Sequence, residues 1–226
     1  MKSLFANSEL KLEVKELSFW RRSVALYKNP IFLCLIASDF FSWLCLFVPY
    51  VHLAERARLT GLDENTCSWI AATIGIAGSC GRPITGWLFN YYNVHPRIAY
   101  TIIQILCGLS IMLSPFWSTK LGLYTFAATF GFLSNGYGLI KASTAVMLGR
   151  DKYIDAFSWM LMYEGLGVLL GSPIAGWLYD VTKSYDWGFR AAGIGLIFSG
   201  LILFISCTNR HDAGNQRRVR SVNPSC

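Results

Sequence analysis

Charged residues are scarce in this sequence. Only 15% of its 226 residues are Asp, Glu, Lys or Arg, whereas 54% are hydrophobic, and a soluble domain usually carries about 25% charge. This shortage argues against a water-soluble fold and predicts long segments buried in a lipid bilayer. The net charge of +7 does not indicate nucleic-acid binding, because the basic residues lie mostly between and outside the apolar segments, as in proteins that contact anionic lipid.

Motifs for disulfide frameworks, metal sites and catalysis are also missing. The seven cysteines include no CxxC pair, and most lie in apolar segments, where a thiol behaves as a small hydrophobic group. The three histidines, His52, His95 and His211, form no HxxxH or Ser/His arrangement. The sequence therefore predicts no metal and no other cofactor, and it disfavours an integral-membrane enzyme.

What the sequence does contain is long apolar segments. A spanning helix needs about 20 apolar residues. Six segments meet that length, namely Pro30–His52, Ser68–Phe89, Pro96–Trp117, Leu121–Met147, Ala156–Asp180 and Phe189–Cys207. We predict an all-α membrane protein in which residues 30–208 form a bundle of six transmembrane helices.

Lysine and arginine are unevenly distributed over the two sides of this bundle. Most lie in the N-terminal segment, the second and fourth loops and the tail, and the positive-inside rule places that side in the cytoplasm. Residues 1–29 are then a cytoplasmic segment without a cleavable signal peptide. Within it, residues 8–28 form either an amphipathic helix on the membrane surface or a solvated linker. Residues 209–226 are polar and basic, which predicts a disordered cytoplasmic tail.

Residues 81–90 (GRPITGWLFN) and 171–180 (GSPIAGWLYD) form an internal repeat. Each copy ends the second helix of a set of three, but the first copy ends in the cytoplasm and the second ends outside. This arrangement predicts an inverted repeat of three plus three helices, which is the symmetry of one half of a major facilitator fold. In the fifth span, Gly167 and Gly171 form a GxxxG motif that lets two helices approach closely.

Ionisable side chains inside the apolar segments are the candidate functional residues, because a charge at membrane depth is costly and usually faces a cavity or a partner. Arg82 either faces a cavity, where its donors can hold a carboxylate, or snorkels to the surface. Asp39 is a salt-bridge partner for Arg82, a proton carrier or a polar residue of a wet vestibule. Lys141 and Glu164 either pair with each other or flank the substrate path. Asp180 is interpreted as a solvated helix-end group.

Four segments make the chain similar to the C-terminal half of the monocarboxylate transporter family. They are residues 29–32 (NPIF) with 48–51 (VPYV), residues 81–86 around Gly-Arg-Pro, and residues 165–193. The resemblance implies spans seven to twelve of that family and a role for Arg82 in binding the substrate carboxylate. Proton-coupled members carry an Asp four residues before this Arg, where this sequence has Gly78. The resemblance therefore leaves open a facilitative carrier or a proton taken over by Asp39 or Glu164.

The leading hypothesis is transport of small monocarboxylates or related organic anions by alternating access, as the C-terminal bundle of a plasma-membrane carrier. The expected partners are the anion, with or without a proton, the lipid bilayer, and an N-terminal six-helix bundle or an accessory membrane subunit; no nucleic acid is expected. The alternative is a truncated membrane protein that transports nothing and associates with a full-length carrier or an accessory subunit.

Overall fold

The computed structural model describes residues 20–117 and 119–206, except for the side chains of residues 135, 137, 150, 151 and 206. Over this range the chain is helical and contains no strand, which confirms the predicted all-α class. The helices are α1 (20–27 in its described part), α2 (Pro30–Leu59), α3 (Glu64–Tyr91), α4 (Pro96–Leu113), α5 (Lys120–Leu133), α6 (Tyr137–Leu148), α7 (Arg150–Thr182) and α8 (Tyr185–Ser206).

Polar caps fix where the first long helices begin. The Asn29 side chain accepts a hydrogen bond from the backbone N–H of Ile31, and Pro30 follows at the first helical position, where its missing N–H costs nothing. Asp63 caps α3 by accepting hydrogen bonds from the Thr66 backbone N–H at 3.1 Å and from its hydroxyl at 2.6 Å. These bonds hold the pKa of the Asp63 carboxyl below its usual range.

Four helical segments of the described chain are both long and apolar enough to cross a bilayer: Pro30–Leu59, Pro96–Phe116, Lys152–Thr182 and Tyr185–Ile205. The predicted second span lies within α3. The predicted fourth span is divided, because a 3-10 turn at Ser134–Gly136 separates α5 from α6. Its Ser-Asn-Gly sequence favours turns over regular helix, and this local preference was hidden inside a long apolar segment.

Several helices are longer than the apolar segments that predicted them. α2 continues from His52 to Leu59, and α7 begins at Arg150 instead of Ala156. The extra turns contain charged residues, which hydropathy assigns to loops although their backbone remains helical. The length of these helices is therefore set by packing at the helix ends as well as by the length of the apolar segment.

The bundle is held together mainly by α2, which packs along both α7 and α8, while α4 packs on α8 and α3 on α5. One buried cluster lies around Phe126, Phe130 and Phe189. A second surrounds Phe32 and Tyr100, near the start of α2. We refer below to the Pro30 end and the Leu59 end of the bundle, after the two ends of α2.

Glycines allow α7 to lie directly on the backbone of α2. A Cβ at Gly167 would stand 2.9 Å from the carbonyl oxygen of Phe40, and a Cβ at Gly171 would overlap the carbonyl group of Leu44. Any larger residue would force the two helices apart. The close approach predicted from the GxxxG motif is therefore confirmed, and its partner is α2.

The two copies of the sequence repeat have the same pattern of exposure. In each decapeptide the first and fifth residues are buried and the seventh, a tryptophan, is exposed. The residues are Gly81, Thr85 and Trp87 in α3, and Gly171, Ala175 and Trp177 in α7. The tryptophans are 63% and 65% exposed. The sequence similarity thus extends to the faces that the two helices turn toward the bundle.

At the Pro30 end, α1 is docked on the first turns of α7. Arg22 pairs with Asp155 at 2.8 Å, and the indole N–H of Trp159 donates to the Ser23 hydroxyl at 3.0 Å. On another face of α1, Trp20 is 58% exposed. The amphipathic helix predicted for residues 8–28 is therefore helical over residues 20–27, and its contact with the membrane surface stays a prediction. Residues 1–19 and the predicted tail at 209–226 lie outside the described residues.

Candidate functional site

Three of the four predicted site residues meet inside the bundle. Asp39 comes from α2, Lys141 from α6 and Glu164 from α7. At a helical rise of about 1.5 Å per residue, Asp39 lies about 14 Å from Pro30 along α2. The cluster therefore lies well below the end of the bundle, at a depth where lone charges are expensive.

Lys141 is the centre of this cluster. Its ammonium nitrogen lies 2.5 Å from Glu164 Oε1 and 3.7 Å from Asp39 Oδ2. The Trp43 indole N–H, one turn beyond Asp39 on α2, donates to the same Glu164 oxygen at 2.7 Å. The ring of Phe157 covers the ammonium at 5.0 Å from its centroid, a distance at which a cation is attracted to an aromatic face. The pairing of Lys141 with Glu164 agrees with one of the two arrangements predicted from the sequence.

Burial differs sharply among the three charged side chains. Asp39 is 1% exposed, whereas the side chains of Lys141 and Glu164 are 15% and 12% exposed. Neither carboxylate oxygen of Asp39 receives a hydrogen bond from the described residues. Asp39 is thus the most deeply buried charged group of the cluster.

Arg82 lies elsewhere, on α3, and its side chain is exposed. It stands nine residues before the last residue of α3, so its depth of about 14 Å from the Pro30 end matches that of Asp39. Gly75 and Gly86 share its face of α3, and space is open around both. The cation beside Asp39 is Lys141, at 3.7 Å, so the alternative in which Asp39 pairs with Arg82 is corrected. Arg82 is exposed, whereas Asp39 is buried beside Lys141.

A neutral polar network lies beside Asp39, between α2, α4 and α8. The Ser38 hydroxyl donates to the backbone carbonyl of Ser199 at 2.8 Å, and the fully buried Tyr100 hydroxyl lies 3.1 Å from both serine hydroxyls. Gln104 donates to Tyr100 and to Ser42. Such hydrogen bonds between helices fix their rotation about their own axes, and they hold Asp39 toward α6 and α7.

At the Leu59 end, sequence reasoning missed a buried arginine. Arg56 lies four residues beyond the first apolar segment, where the sequence predicts a solvated loop, yet it is only 7% exposed. It donates to the hydroxyl and the carbonyl of Ser114, each at 3.0 Å, and pairs with Asp186 at 3.2 Å. Its guanidinium also lies 5.0 Å from the Phe189 ring centroid. The one signal that could have revealed the buried Arg56 is that residues 53–59 can continue the helix beyond the apolar segment.

Comparison with known proteins assigns this arrangement of helices to a family. The model of the Major Facilitator Superfamily matches residues 31–224. The chain belongs to the major facilitator superfamily. Like other members it is a multi-pass membrane protein of apolar helices, and the buried ion cluster lies among those helices.

Several monocarboxylate transporters of the superfamily are similar to this chain. Monocarboxylate transporter 9 of Gallus gallus is 27% identical over 202 residues, which cover 86% of this chain and 40% of the relative. Monocarboxylate transporter 14 of Homo sapiens is 29% identical over 81% of this chain and 36% of the relative. Monocarboxylate transporter 3 of Gallus gallus is 30% identical over 89% of this chain and 38% of the relative.

The chain thus spans about two fifths of the length of these relatives. They are carriers rather than enzymes, as the sequence predicted for this chain. The expected resemblance to monocarboxylate transporters is confirmed by the same comparisons.

Proposed function

We propose that this chain is the C-terminal bundle of a carrier that moves small monocarboxylates or related organic anions across the plasma membrane by alternating access. The observation that carries the proposal is the charged cluster of Asp39, Lys141 and Glu164 deep inside an apolar bundle whose relatives are monocarboxylate transporters. Charges at membrane depth cost several kcal/mol and mark transport pathways. A purely structural bundle would be more stable with apolar residues at these positions.

Arg82 is proposed as the anchor for the substrate carboxylate. Its exposure on the outside of the bundle, at about 14 Å of depth, is costly if the guanidinium faces lipid and favourable if it faces a water-filled path. The open space at Gly75 and Gly86 leaves room beside it for a small molecule. A guanidinium holds a carboxylate with two parallel hydrogen bonds, which a lysine cannot do.

The symmetry proposed for the bundle is that of a three-plus-three inverted repeat with six spans. It is supported by the matching exposure of the two decapeptides and by the position of each at the end of a long helix. In this arrangement α5, the 3-10 turn and α6 together make the fourth span. Interrupted helices at the substrate depth are common in secondary transporters.

The test is uptake of labelled lactate and pyruvate by the complete carrier with Arg82 replaced. Charge-assisted hydrogen bonds contribute about 1.5–3 kcal/mol each, so Arg82→Ala should lower uptake about 10- to 100-fold. Arg82→Lys keeps the charge but loses the fork of donors, and it should fall in between. Surface expression, measured in parallel, should not change.

Unchanged uptake in Arg82→Ala would remove the anchor from the proposal. If the wild type takes up neither anion but is recovered together with a full-length carrier, the alternative function as a non-transporting associate is favoured.

A further inference from the structure

Hydrogen bonding within the ion cluster is strongly asymmetric. Glu164 Oε1 receives the Trp43 indole N–H at 2.7 Å and the Lys141 ammonium at 2.5 Å. Both oxygens of Asp39 lack a donor among the described residues, and the nearest cation, Lys141, is 3.7 Å away. The carboxylate with donors is stabilised as an anion, whereas the one without them is not.

The charge balance of the cluster leads to the same conclusion. Within the described residues it contains one cation and two carboxylates. If both acids were ionised, a net negative charge would be buried in an apolar bundle, at a cost of several kcal/mol. A proton on one acid makes the cluster neutral, and Asp39 is the acid that is 1% exposed and has no donor.

We propose that Asp39 is a proton-binding site and that Lys141 passes between Glu164 and Asp39 as that proton leaves and returns. In the arrangement described here, Asp39 is a neutral carboxylic acid and Lys141 is paired with Glu164. When the O–H bond of Asp39 breaks, its electron pair stays on the carboxylate and the proton goes to water that reaches the partly exposed side of the cluster. Lys141 remains an ammonium ion and closes the 3.7 Å gap to Asp39, while Trp43 still donates to Glu164.

The surroundings of Asp39 contain few other groups that could hold this proton. The charges that act on it are Lys141 of α6 and Glu164 of α7. On the neighbouring faces, α8 presents the Ser199 hydroxyl and α4 the Tyr100 hydroxyl, both bonded to Ser38. α3, which also packs on α2, carries Arg82 on an exposed face.

The inference rests on the proposed function only for the role of the proton in transport. In a carrier, a proton bound at Asp39 would accompany the anion, even though this chain has Gly78 where proton-coupled relatives are expected to carry an aspartate. The proton site itself is a property of the cluster and can be measured without transport.

Infrared difference spectroscopy of the protein in lipid nanodiscs tests the inference directly. The wild type should show, near neutral pH, the C=O band of a protonated carboxylic acid that disappears as the pH rises. Asp39→Asn should lose this band. Glu164→Gln should also lose it near neutral pH, because Lys141 then pairs with Asp39 and ionises it. Lys141→Met, the matched control, should keep the band to higher pH than the wild type.

Three outcomes would overturn the inference: no acid band in the wild type, a band that survives Asp39→Asn, or a band unchanged in Glu164→Gln. Should Asp39→Asn fail to fold, wild type labelled with ¹³C-aspartate gives the same readout, as one carboxyl carbon that titrates well above the others. Absence of the acid band from the wild type, with normal lactate uptake, would reject the proton site alone. A wild type that takes up neither lactate nor pyruvate but keeps the acid band would reject only the proposed function.

Discussion

At the scale of single residues, Arg56 connects three helices at the Leu59 end. It extends from α2 to Ser114, directly after α4, and to Asp186 in the first turn of α8. The Ser114 side chain is fully buried, so loss of its partner leaves a buried hydroxyl and carbonyl unsatisfied. Asp186 is 46% exposed at its side chain and can be solvated again. Most of the stabilisation by Arg56 therefore comes from Ser114.

Arg56→Met should lower the free energy of unfolding by about 1.5–3 kcal/mol, because hydrogen bonds to charged groups contribute that much and a buried carbonyl loses its donor. Arg58→Met is the matched control, since Arg58 is 63% exposed at its side chain and its ion pair within the described part of the chain is with nearby Glu55, at 3.7 Å. Its effect should stay within about 0.5 kcal/mol. Denaturant unfolding in detergent measures both, and equal effects would show that Arg56 has no special role.

At the scale of helices, α2 and α7 touch at Gly167 and Gly171, a contact that we call the α2–α7 seam. This seam illustrates what a sequence can predict. The GxxxG spacing in α7 was sufficient to predict a close contact, since small residues four apart share one face. Its partner could not be predicted, because that depends on how the helices of the bundle are arranged. The break after Leu133 was missed for a different reason: hydropathy averages over a window and conceals three residues with turn preference.

Replacing Gly171 by Ala should destabilise the protein by about 1–3 kcal/mol, because the added methyl group would overlap the backbone of Leu44 in a tightly packed seam. Gly176→Ala on the same helix meets no atom within 4 Å. It should be neutral or stabilising by about 0.5–1 kcal/mol, as usual for Gly→Ala in a helix. Thermal unfolding of the two variants checks the difference, and a harmless Gly171→Ala would disprove the tight seam.

At the scale of the whole molecule, the contacts at the two ends define the directions of the helices. The end of α2 meets the end of α4 and the start of α8, while α1 and the start of α7 meet at the opposite end. The all-α class and the long apolar helices of a multi-pass membrane protein could be predicted from composition. The meeting of Asp39 with Lys141 and Glu164 could not, because it depends on the rotation of three helices that are distant in sequence.

The predicted orientation has a direct test with reporter fusions. Reporters placed after Thr119 and after Lys183 should both lie outside the cell, because the positive-inside rule puts the opposite end in the cytoplasm. A reporter after Asn93, in the second loop, is the internal control and should be cytosolic. If the first two fusions were cytosolic and the Asn93 fusion lay outside, the predicted orientation would be wrong. If the Thr119 and Lys183 fusions lay on opposite sides of the membrane, the inverted repeat would have to be abandoned.

The seam between α2 and α7 also determines which part of the buried charge cluster is free to move. Asp39, Trp43 and Glu164 all belong to two helices in backbone contact, so they shift together as one rigid pair. Lys141 belongs to a helix of only 12 residues that begins directly after a 3-10 turn, and such turns often act as hinges. A small rotation of α6 about this turn would displace the ammonium group of Lys141 while both acids keep their positions.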